Sequence, residues 1–154
     1  MSVWTHVAAV FRIDAVKAEH CGRGTVNGRP LIDWDKVTGR AIYDGDWCSH
    51  DDYEQRRMRE DWDAYRKHPD RFMPTGSEGS LQRLLWVNPD DHCAARYTVT
   101  VFGDLRDYED HEAIHEWFDE VCSRCHMRQA VCQCDVSGPT YVYEYEWKAQ
   151  GKEQ

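Results

Sequence analysis

From Val3 to Ile13 the chain alternates without a break. Val3, Thr5, Val7, Ala9, Phe11 and Ile13 fall on one side, and Trp4, His6, Ala8, Val10 and Arg12 on the other. A period of two places successive side chains on opposite faces of an extended strand, so the run predicts a long strand with one strongly apolar face. Its second face is only partly polar. Such a strand has to find a sheet, and the rest of the sequence supplies one.

After the turn-prone Gly76-Ser77-Glu78-Gly79, Ser80 to Asn88 reads as a strand, Asn88-Pro89-Asp90-Asp91 as a turn, and Ala94 to Phe102 as the second arm of a hairpin. Ile114, Trp117, Phe118, Val121, Cys122 and Cys125 then recur at helical spacing, behind a start near Asp110. Two last strands, roughly Arg128–Asp135 and Thr140–Trp147, are joined by Ser137-Gly138-Pro139. This order predicts an α+β fold: an antiparallel sheet of about five strands with one main helix on one face.

Between the first strand and this unit lies a stretch broken by Gly22, Gly24, Gly28, Pro30, Gly39 and Gly45. We read residues 15–75 as an irregular insertion within a single domain of residues 1–154. Inside it, Leu31–Trp34 and Arg40–Tyr43 suggest a hairpin across Thr38-Gly39. Ser49 with Asp52 opens a helix whose apolar stripe is Met58, Trp62 and Tyr65 and which ends before Pro69.

Composition narrows the function classes. Seven Trp and eight Tyr supply enough apolar surface for a core without staples. A net charge of −9 argues against general nucleic-acid binding and against docking on an anionic membrane. No secretory leader and no run long enough to span a bilayer is visible, and seven cysteines, an odd number, suit reduced thiols in a cytoplasm.

Several residues invite chemistry. Cys122-x-x-Cys125 and Cys132-x-Cys134 have the composition of a zinc site, yet both pairs lie on apolar faces, where thiols pack as small hydrophobes. His20, Cys21, Cys48 and His50 form a second Cys/His set without the spacing of a zinc module. Asp33-x-Asp35 lacks the rest of a calcium loop. His111 and His115, one helical turn apart, are placed to pair on a metal. The loop from Thr75 to Ser80 reads as a tight turn into a strand, and Arg106 as neutralising Asp104 and Asp107. No metal or other cofactor is called for.

Two surfaces remain as candidates. Trp4, His6 and Arg12 share the less apolar face of the first strand, with Arg96, Thr98 and Thr100 as neighbours. This face is covered by the insertion, which makes His6 a satisfied buried histidine, or closed by a second copy in a homodimer, or left open to bind. The other surface is the helix: eight acidic residues against one basic lie between Asp104 and Glu120, and Glu112, Glu116 and Asp119 stand off the apolar stripe. A solvated face is the plain reading, and docking of a basic protein partner the sharper one.

The segments His6-Val7 to Phe11-Arg12-Ile13-Asp14, Gly76-Ser-Glu-Gly-Ser-Leu81, Phe102-Gly-Asp-Leu-Arg-Asp107 and Glu116-Trp-Phe118 resemble small uncharacterised accessory proteins of bacteria and their phages. That resemblance implies an accessory role in a phage or mobile element and assigns no activity. With no catalytic set in view, the sequence points to a non-enzymatic protein-interaction module, an inhibitor of a host factor. The alternatives are a small zinc-binding protein and a binder of a small anionic ligand.

Overall fold

The computed structural model describes residues 2–26, 29–40, 71–88 and 95–145. Its elements in chain order are β1 (Trp4–Val16), a short 3-10 turn (Ala18–His20), β2 (Cys21–Val26), β3 (Arg29–Ile32), α1 (Trp34–Thr38), β4 (Leu81–Val87), β5 (Tyr97–Arg106), α2 (His111–Ser123), β6 (Cys125–Val136) and β7 (Thr140–Glu144). Five strands form an antiparallel sheet in the order β4-β5-β1-β6-β7, and β2 and β3 form a separate hairpin. The alternating N-terminal strand takes the central place, paired to β5 on one side and to β6 on the other.

The apolar face of β1 faces α2. Val7, Ala9, Phe11 and Ile13 are buried, together with Val99, Val101 and Leu105 from β5, Ala130, Cys132, Cys134 and Val136 from β6, and Ile114, Trp117, Phe118 and Val121 from α2. Phe11 meets Trp117 edge-on at 5.8 Å between ring centroids and Phe118 at 5.5 Å. The apolar stripe read from the helix spacing therefore faces the apolar side of the sheet, as a two-layer α+β fold requires.

The described part of the insertion packs on this same side. Val37 of α1 belongs to the core, and the Trp117 indole N–H donates to the carbonyl of Thr38 at 2.8 Å. Arg124, after α2, is buried with its guanidinium on the Lys36 carbonyl (3.0 Å), on Glu120 Oε1 (3.1 Å) and over the Phe72 ring (4.4 Å). The insertion differs from the expected hairpin of 31–34 with 40–43. Asp33 caps a short helix by accepting from the Lys36 amide (3.1 Å), and Gly39 closes it at φ 75°. The strand Arg29–Ile32 pairs instead with Cys21–Val26. Residues 41–43, the helix expected from Ser49 to Lys67, the turn residues 89–91, Cys48, His50 and the end of the last strand lie outside the described residues.

Candidate functional site

The other face of the sheet presents Trp4, His6, Ala8, Val10 and Arg12 of β1, all exposed. His6 is not the covered histidine that an overlying insertion would make it: its side chain is 59% exposed. Register fixes its neighbours. His6 stands between Asp104 of β5 and Asp135 of β6, and Trp4 stands opposite Arg106.

At this end of the face several side chains converge. His6 Nδ1 lies 2.6 Å from Asp104 Oδ1. A carboxylate partner keeps the ring proton on Nδ1 and leaves Nε2 as an acceptor, the arrangement that makes an imidazole a usable base. Across the ladder, Asp135 has a buried Oδ1 with no hydrogen-bond partner. A buried acceptor left unmade costs free energy, and this oxygen is closed to solvent.

The segment 75–80 is clamped against the end of β5. Arg106 Nη1 pairs with Glu78 Oε1 at 2.6 Å, and its Nε and Nη2 donate to Ser2 Oγ at 3.0 and 2.6 Å. Arg106 thus reaches across to Glu78, with Asp107 farther off at 3.8 Å, rather than simply neutralising its own neighbours. Ser77 Oγ donates to Asp107 Oδ2 at 2.8 Å. The backbones lock as well: Ser77 N–H donates to the Arg106 carbonyl and Arg106 N–H to the Glu78 carbonyl, both at 3.0 Å. This close approach needs glycine. A Cβ on Gly76 would lie 2.6 Å from the Arg106 nitrogen, one on Gly79 2.1 Å from the Asp104 carbonyl oxygen, and one on Gly103 2.5 Å from the Ser80 carbonyl oxygen.

Of the residues singled out from sequence, Trp4 and His6 belong to this cluster. Arg12 shares their face but sits six residues along β1, opposite Thr98 and Gln129, about 20 Å from His6 at strand rise. Arg12 and His6 therefore do not line one cleft. Arg96 is half-buried just before β5, its backbone N–H on the Ile13 carbonyl, beyond the Arg12 end. Glu112, Glu116 and Asp119 are exposed on α2, on the opposite side of the sheet. Asp135 was not picked out, and Glu78, Asp104 and Arg106 were read only as part of a tight turn and as charges neutralising one another. The available signal was that Gly76–Leu81 and Phe102–Asp107, two separate Gly/acidic motifs, each sit at a strand end.

The remaining candidates are accounted for by packing. Cys122, Cys125, Cys132 and Cys134 are core residues, and burial pushes the thiols of Cys122, Cys125 and Cys132 up to about 12 and that of Cys134 up as well. Such thiols stay protonated at neutral pH and pack as small apolar groups of the core. His111 stacks on Tyr141 at 3.9 Å and His115 on Tyr143 at 4.1 Å, so each ring has an aromatic partner rather than facing the other. Among the described residues no group of three or more His, Cys, Asp or Glu is placed to hold a metal ion, and no helix is long and apolar enough to cross a membrane.

No family model and no curated protein matches the chain. Among solved structures, a phage SAM lyase in its apo state is similar over 96% of this chain and 94% of its own, at 10% identity and a TM-score of 0.40. At that identity and score the resemblance is confined to the level of the fold. The expectation of a non-enzymatic interaction module that inhibits a host factor finds no support in this neighbour, whose own description is that of a lyase.

Proposed function

We propose that this chain is an enzyme for a small polar ligand, bound where His6, Asp104 and Asp135 meet Trp4, with His6 as general base. The observation that carries the reading is the His6–Asp104 pair at 2.6 Å on an exposed face, with Asp135 in register beside it. Asp104 orients the imidazole, so Nε2 is positioned to take a proton from a bound molecule. Trp4, exposed at the same end, supplies a flat surface for a ring or a cation.

The charges favour a ligand with a cationic group, which Asp104 and Asp135 suit. Arg106 and Glu78 are paired with each other and hold the segment at the edge of the site. The small anionic ligand expected from sequence would then carry a positively charged part as well. The five described cysteines are free thiols, which fits a reducing compartment.

The test is a ligand panel of amino acids, nucleotides, polyamines and S-adenosylmethionine, screened by thermal shift and followed by chromatography of each mixture for loss of the added compound. At least one zwitterionic member is expected to stabilise the protein and to be consumed. His6→Ala is expected to slow its loss by about 10²- to 10⁴-fold, the usual contribution of a general base. Glu112→Gln, on the far side of the sheet, should leave the rate unchanged. A flat panel, or a turnover that His6→Ala does not alter, would refute the assignment.

A further inference from the structure

His20 is a titratable group that the candidate site does not use, and its setting is unlike that of the exposed His6. It ends the 3-10 turn between β1 and β2, with its side chain 21% exposed. Its Nδ1 is buried without a hydrogen-bond partner. The turn is tied to the end of α2, since Lys17 N–H donates to the Arg124 carbonyl (3.1 Å) and His20 N–H to the Lys17 carbonyl (2.9 Å). Arg124 in turn reaches α1 through the Lys36 carbonyl at 3.0 Å. The ring therefore sits where the turn, α1 and the end of α2 meet, at the seam between the insertion and the core.

Both signs of charge meet at this seam. Among the described residues, the charged groups acting on the ring are Arg124 after α2, Lys36 of α1, Glu19 of the turn and Glu120 of α2. The carboxylates offset the cations only in part. Glu120 is committed to Arg124 at 3.1 Å, and Glu19, 68% exposed, stands 3.9 Å from Nε2. An exposed pair of that length contributes little. Burial first, and then Arg124, hold the imidazole below its ordinary 6.5, so the ring is neutral while the seam is closed at neutral pH. A charged ring would also carry a buried Nδ1–H with no acceptor, which costs more to leave unmade than a neutral nitrogen.

We propose that His20 is an acid-sensitive latch: a proton taken up there sets a third cation beside Arg124 and Lys36 and releases the turn, β2, β3 and α1 from α2 while the five-stranded sheet stays closed. Once released, the ring titrates at its ordinary 6.5, whereas the docked ring gives up its proton more readily. Well above that pH both forms are neutral and docking is complete. As pH falls through 6.5 the released form gains the proton first, so docking weakens, by at most about tenfold per pH unit. The latch is independent of the catalytic reading, since the insertion packs on the side of the sheet away from His6.

Hydrogen exchange of the full chain at about pH 7.5 and about pH 5.5, corrected for the intrinsic effect of pH on exchange, decides it. In the unaltered chain, opening of residues 18–26 and 29–39 relative to β1 and β6 is expected to rise about three- to tenfold at the lower pH. His20→Gln, which stays neutral, is expected to show no such rise. Should His20→Gln melt without a cooperative transition, the ring-proton resonance of His20 in the unaltered chain replaces it, with a midpoint expected below 6.5. Equal opening at the two pH values overturns the proposal. So does a rise that persists in His20→Gln, or a His20 midpoint at or above 6.5.

Discussion

Gly79 holds a backbone at φ 79° with its α-carbon turned to the Asp104 carbonyl, where no side chain fits. Gly79→Ala therefore meets a steric block and an unfavourable dihedral together, and should cost about 1–3 kcal/mol. For a domain of this size each kcal/mol lowers Tm by about 2–4 °C, so calorimetry resolves the effect. The buried cysteines give a second residue-level expectation. Native alkylation at mildly alkaline pH, mapped by mass spectrometry, should leave Cys122, Cys125, Cys132 and Cys134 unlabelled while the half-buried Cys21 reacts. Their raised pKa also sets the sign of an alkaline effect. From about pH 9 to 12 the unfolded chain has lost thiol protons that the folded chain retains, so stability falls as pH rises through that window. Replacing Cys132 by Ala should flatten that fall in a denaturant titration across pH.

At the scale of elements, the long periodic segments were legible and the short ones were not. β1 and α2 each repeat a pattern over more than ten residues, long enough for burial to dictate the structure. α1 is five residues held by a cap at each end, and the signals Asp33 and Gly39 look, in sequence, like one arm and one turn of a hairpin. The site was half legible for a related reason. Alternation placed Trp4 and His6 on one face, but Asp104, Glu78 and Asp135 join them only through strand register across distant segments, which no local pattern encodes. Capping and docking of α2 can be tested separately. Asp110→Ala removes the acceptor for the Ala113 amide (3.0 Å) and should cost about 1 kcal/mol in a urea titration. Trp117→Phe keeps most of the ring but strips the Thr38 carbonyl of its buried donor, at about 1–3 kcal/mol. Hydrogen exchange should show that second loss concentrated in residues 34–39.

For the molecule as a whole, the placement of β1 matters more than any one contact. Its ladders run to Tyr97–Arg106 on one side and to Cys125–Val136 on the other. The strand at the centre of the sheet is thus one whose partners are written far behind it. On the ribosome, Val7, Ala9, Phe11 and Ile13 emerge some 90 residues ahead of anything they can pair with, and α2 appears later still. Pairing over such separations is slow, because the loop must close before contacts repay it. The expected refolding time is therefore milliseconds to seconds rather than microseconds, measurable by stopped-flow Trp fluorescence, with Trp117 a reporter at the core. Until β5 arrives, the waiting strand is an apolar ribbon with both hydrogen-bonding edges bare, and in a cell that interval is when a holdase chaperone would matter most to this chain.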